Sequence, residues 1–71
     1  MPLRNNVKMY RAKIGVNQQE LGALVGVSRQ TISLIERGDY HPSVVLALKM
    51  ARLFEVPVEE VFEWEGESED E

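Results

Sequence analysis

Residues 17–38, NQQELGALVGVSRQTISLIERG, constrain this chain more tightly than any other stretch. They read as two short helices joined by a tight turn. Asn17 suits a helix N-cap, and Leu21, Leu24 and Val25 follow it at helical spacing. Gly26 breaks that helix, Val27 turns inward, and Ser28 supplies a second N-cap. The second helix runs on Ile32 and Ile35 and stops at Gly38, a residue free to take the left-handed conformation of a helix end. A turn this short fixes one helix against the other, so that the second projects from the surface.

At about 100° per residue, Ser28, Ile32 and Ile35 cluster on one side of the second helix. Gln30, Ser33, Leu34 and Arg37 take the opposite side, with Arg29 on its flank near the helix start. In an isolated amphipathic helix such a face is usually no more than a solvated one. In a two-helix unit it presents donors and acceptors suited to base edges in the DNA major groove, which is wide enough for one helix.

The segment resembles the helix-turn-helix of the Cro and phage-repressor type, the XRE-like family. Gln18, Glu20, Leu21, Gly26, Val27, Ser28, Ile32, Ile35, Glu36 and Gly38 carry the match. It continues through Pro42 and Ser43, Ala51 and the run Val56-Pro57-Val58-Glu59-Glu60, and covers residues 6–62. The strings Ser28-Arg29-Gln30-Thr31-Ile32 and Leu46-Ala47-Leu48-Lys49 are similar to those of a small stand-alone, cytolysin-repressor-like subgroup. The resemblance implies an all-α, five-helix lambda-repressor-like domain. It also implies a short strand near residues 62–65 pairing with residues 2–4 and joining the two chain ends. It further implies that Arg11 pairs with Glu36, that Gln18 contacts the DNA backbone, and that a homodimer forms around His41, Val58 and Val61. Gly22 departs from the family, where alanine is usual.

Net charge argues against DNA binding only while it is taken as one number. The chain totals −4, yet residues 1–35 hold Arg4, Lys8, Arg11, Lys13 and Arg29 against Glu20, a balance of +4. Residues 36–71 hold Arg37, Lys49 and Arg52 against eleven acids, a balance of −8. Such asymmetry fits a nucleic-acid face and an acidic far side, with modest non-specific affinity. Seventy-one residues allow one domain at most, close to the size at which a single core barely suffices. With no cysteine there is no disulfide framework and no thiolate metal site, and the single His41 cannot build a metal centre alone. Met1 and Pro2 lead into polar sequence without an apolar run long enough for a signal peptide or membrane span, so a soluble cytoplasmic protein is expected.

Elsewhere, Asn5 or Asn6 is expected to cap a first helix whose apolar stripe is Val7, Tyr10 and Ile14, ending at Gly15. Glu36 projects only about 40° from Ile32, which agrees with a structural ion pair for Arg11, DNA contact being the alternative. Ser43 is expected to cap a fourth helix with Val44, Ala47, Leu48 and Ala51 inward and a second stripe of Leu46, Met50 and Leu53. A helix apolar on two sides is buried on two sides, against the last helix or a partner subunit. Pro57 fits the start of a fifth helix, with Glu59 and Glu60 in its first turn. Residues 1–65 form the expected DNA-binding and dimerisation domain, and residues 66–71 an acidic, disordered tail.

The sequence holds no phosphate loop, no nucleophile–base set and no ligand cluster, so no enzyme, cofactor or metal is expected. The leading reading is a sequence-specific, double-stranded DNA-binding transcriptional regulator, a repressor acting as a homodimer on a palindromic operator. The alternative is an antitoxin or adaptor module whose main role is to bind a protein partner. Arg29, Gln30 and Ser33 are the expected base readers, with Gln18, Ser28, Thr31 and Arg37 as further DNA-binding residues. His41, Val58, Val61, Phe62 and Trp64 are the expected dimer interface, with Leu46 or Met50 as additions. For Phe62 and Trp64 the competing reading is a cap on the monomer core. No small-molecule ligand is expected, because no residues remain for a sensor domain.

Overall fold

The computed structural model describes residues 3–64; the acidic segment 66–71 lies outside the described residues. The elements run β1 (Leu3–Asn5), α1 (Val7–Ile14), α2 (Gln18–Val25), α3 (Arg29–Arg37), α4 (Val44–Phe54), α5 (Val58–Val61) and β2 (Phe62–Trp64). Local chemistry accounts for most boundaries. Asn17 and Glu20 form a reciprocal capping box at the start of α2, each side chain taking the other's backbone N–H at 2.8 Å. Ser28 and Ser43 cap α3 and α4 by accepting from the N–H groups of Thr31 and Leu46. Gly26 and Gly38 close α2 and α3 at φ of 85° and 82°, a region that a β-carbon disfavours. Glu55 ends α4 in the same region, at φ 61°, without being a glycine.

β1 and β2 pair antiparallel in the register Leu3↔Trp64, Arg4↔Glu63 and Asn5↔Phe62. Of the expected pairing of residues 2–4 with 62–65, the described ladder holds Leu3 and Arg4 and adds Asn5. Asn5 also fastens the strand to its neighbours. Its Oδ1 accepts from Val7 N at 3.1 Å and its Nδ2 donates to Ile35 O at 2.9 Å, so strand and helix meet at this residue. Asn6, at the N-cap position, makes no side-chain cap; its amide instead donates to Glu60 O at 2.8 Å, and its backbone N–H donates to Val61 O at 2.8 Å. The start of the described chain is thus fastened to α5 and β2 by one short ladder and Asn6, and to α3 by Asn5.

Val7, Tyr10, Leu21, Val25, Ile32, Ile35, Leu46, Met50, Ala51, Phe54 and Val61 form one buried core. The Tyr10 and Phe54 rings stack with centroids 5.5 Å apart. Tyr10 Oη donates to Glu60 Oε1 at 3.4 Å. Burial first, and then the Glu60 carboxylate, raise its phenol above the ordinary 10.0. A raised phenol favours the folded state while protonated, so this contribution is present below pH 10 and fades as pH climbs through the higher folded value.

Three expectations are corrected here. Ile14 and Leu24 are exposed rather than part of the core. On α4 the inward residues are Leu46, Met50, Ala51 and Phe54, whereas Val44 and Leu48 face solvent with Val45. Val61 was expected at a dimer interface, but it is fully buried in its own chain, where the last turn of α5 meets Asn6. No contact from outside can reach it.

Gly22 shows why this helix-turn-helix departs from alanine. Its carbonyl accepts from both Gly26 N and Val27 N, and a β-carbon placed on it would lie 2.5 Å from the Val27 carbonyl oxygen. Gly22→Ala gains about 0.5–1 kcal/mol of helix preference but presses a methyl onto backbone, at about 1–3 kcal/mol. The expected net loss of about 1 kcal/mol lowers the thermal midpoint by roughly 4–8 °C. A raised midpoint would mean that the turn has room to spare.

Candidate nucleic-acid interface

α2 and α3 pack closely through the turn at Gly26, which leaves one side of α3 in the core and the other in solvent. Ile32 and Ile35 are buried; Arg29, Gln30, Leu34 and Arg37 are exposed, and Ser33 is half-buried between them. Arg29, Gln30, Ser33, Leu34 and Arg37 line a shallow depression of about 330 Å³ along the helix. The two arginines bracket an amide, a hydroxyl and one aliphatic side chain, a set able to donate to, accept from and pack against base edges.

Not every expected contact residue is equally free. The Ser28 hydroxyl caps α3 and lies 3.0 Å from Thr31 Oγ1, so these two side chains hold the helix start together. Arg37 Nε lies 3.3 Å from Asp39 Oδ2 in an exposed ion pair, which screening leaves weak.

Behind the face sits a polar cluster. Arg11 Nε lies 2.6 Å from Glu36 Oε2, Arg11 Nη2 donates to Glu36 Oε1 at 3.3 Å, and Arg11 Nη1 donates to Val16 O at 3.0 Å. Only 15% of the Arg11 side chain and 5% of the Glu36 side chain are exposed. Gln18 Nε2 donates to Glu36 Oε1 at 3.0 Å. One carboxylate thereby ties α1 and the first residue of α2 to the end of α3, while the Arg11 guanidinium also holds the α1–α2 loop through Val16 O. The bond from Gln18 was not legible in the sequence, because both residues read as members of other contacts. The second amide hydrogen of Gln18 remains for an outside acceptor.

The residues expected at a dimer interface are scattered in their exposure. His41 and Trp64 are exposed, Val58 and Phe62 are half-buried, and Val61 is core. A larger apolar surface lies on α4, where Val44, Val45 and Leu48 are 74%, 65% and 52% exposed. It runs into a groove of about 540 Å³ lined by Val45, Leu48, Lys49, Ala51, Arg52, Val56 and Val58. Among the described residues no group of His, Cys, Asp and Glu is placed to hold a metal ion, and no helix is long and apolar enough to cross a membrane.

The capped two-helix unit, with a polar helix face turned outward, defines a DNA-binding helix-turn-helix domain of the Cro/C1 type. Residues 7–61 match the family model described as Helix-turn-helix, and the chain belongs to that family, whose members are transcription regulators rather than enzymes. It is 48% identical over 66 residues to the uncharacterized HTH-type transcriptional regulator YgzD of Bacillus subtilis (strain 168), covering 93% of this chain and 100% of the relative. It is also 43% identical over 65 residues to an HTH-type transcriptional regulator of Archaeoglobus fulgidus, covering 92% of each. Among solved structures it is similar to the P22 c2 repressor in complex with a synthetic operator (TM-score 0.71, 28% identity, 75% of this chain and 80% of that one). The restriction-modification controller protein C.AhdI of Aeromonas hydrophila is likewise similar, with TM-score 0.69, 30% identity, and 76% and 82% coverage.

Proposed function

We propose that this regulator is a cytoplasmic repressor that binds a two-fold-related operator as a homodimer, one α3 entering the major groove of each half-site. The observation that carries the reading is the exposed face of Arg29, Gln30, Ser33 and Arg37, held in place from behind by Arg11, Glu36 and Gln18. The likeness to a repressor solved on its operator supports the same reading.

One recognition helix covers few base pairs, so useful specificity calls for two, held about 34–36 Å apart. The surface we assign to the second copy is the outer side of α4 with the groove beside it, replacing the expected contact at Val61. A two-fold interface needs a patch complementary to itself. This one offers apolar Val45, Leu48 and Val58 beside the cations Lys49 and Arg52, and Glu55 and Glu59, adjacent in sequence to Val56 and Val58, are the acids we assign to meet those cations across the axis.

The test of base reading uses an operator selected from genomic fragments and a scrambled duplex of equal length. Arg29 can span guanine O6 and N7, and Gln30 adenine N6 and N7, at about 1–3 kcal/mol of discrimination each. Arg29→Ala and Gln30→Ala are expected to weaken the operator complex roughly tenfold or more while changing the scrambled complex much less. Equal weakening of both duplexes would show that neither residue reads sequence.

A further inference from the structure

We infer that Leu34 is a further specificity-determining residue, packing against the C5 methyl group of one thymine in each half-site. The inference rests on the reading of the outer face of α3 as the groove-facing one.

Leu34 lies one helical turn after Gln30 and three residues before Arg37, which places it on their side of the helix. It is 36% exposed and lines the same depression as Arg29, Gln30, Ser33 and Arg37. It is the one apolar side chain in that lining. Ile32 and Ile35 already fill the buried side of α3, so the core does not require it. Helix termination does not require it either. Gly38 N and Asp39 N both donate to the backbone carbonyl of Leu34, a role that any side chain at this position would leave intact. A leucine among hydrogen-bonding groups adds an apolar contact to a face that otherwise donates and accepts, and the thymine C5 methyl is the apolar feature that the major-groove edges of the four base pairs display.

The test takes the selected operator and replaces each thymine in turn by deoxyuridine, which removes that methyl and nothing else. With the wild-type protein, one position per half-site is expected to lose roughly fourfold in affinity, the amount that burial of one methyl-sized group supplies. Leu34→Ala is expected to bind the thymine operator roughly fourfold more weakly per half-site and to show no further loss with deoxyuridine at that position. Leu34→Met, which keeps an apolar contact, is expected to restore the distinction. The inference is overturned if no thymine is sensitive in the wild type, or if the sensitivity persists unchanged in Leu34→Ala. Should no genomic fragment be selected over scrambled DNA, the base-reading role of the whole α3 face falls, and this role of Leu34 falls with it.

Discussion

Glu36→Ala is expected to destabilise the domain by about 3–5 kcal/mol, the usual consequence of removing one partner from a buried ion pair. The loss follows from what is left behind. Arg11 would keep its charge in a site where only 15% of the side chain meets solvent, with its Nε and Nη2 donors stripped of their acceptor. Gln18 would lose its bond to the same carboxylate. Arg11→Ala is expected to fall in the same range, since it leaves a 5% exposed carboxylate with only the Gln18 amide. Domains of this kind have about 5–15 kcal/mol in total, so either variant sits close to unfolding at ordinary temperature. The double variant should cost less than the sum of the singles, because the second removal takes away a group already orphaned by the first. Denaturant titration followed by helical circular dichroism gives all four corners of the cycle. Strict additivity would mean that the two side chains do not couple in solution, whatever their separation.

The same cluster links stability to function. Arg11 on α1 and Gln18 on α2 both hold Glu36 near the end of α3, so a variant that survives folding should still present Arg29 and Gln30 less firmly. Its operator affinity should fall more than its affinity for scrambled duplex.

How legible this protein was depended on how local the governing physics is. The helix-turn-helix could be read because each boundary is set within four residues: Asn17 with Glu20, Ser28 with Thr31, Gly26 and Gly38 at the helix ends. The outer face of α3 could be read because Ile32 and Ile35 define its opposite. α4 could not. Val44, Val45, Leu46, Ala47 and Leu48 are consecutive and apolar, so periodicity alone cannot choose which of them faces the core. The choice is made by Leu46, Met50 and Phe54, which share one side at four-residue spacing and meet the side chains of α1 and α2. Val61 was misread for a related reason. Near the chain end an apolar residue looks uncommitted, and only the closure of β1 on β2, with Asn6 donating to its carbonyl, shows that the core already holds it.

That correction separates two aspartate substitutions that would otherwise look alike. Val61→Asp is expected to abolish folding. The side chain is wholly enclosed within the apolar core, and an unpaired buried carboxylate adds several kcal/mol to the lost apolar burial. Leu48→Asp places the same charge on a side chain half open to solvent, so its effect on monomer stability should stay within about 0.5 kcal/mol. Its effect on assembly should be large, because Leu48 lines the groove assigned to the second copy, where two carboxylates would meet each other and an apolar wall across the axis. The expected product is a folded monomer whose operator affinity drops by about 10²–10⁴-fold, the advantage that joining two half-sites confers. Sedimentation and circular dichroism on both variants decide the matter. A folded Leu48→Asp protein that still sediments as a dimer would place the interface on another face, and a Val61→Asp protein with full helical content would return that residue to the surface.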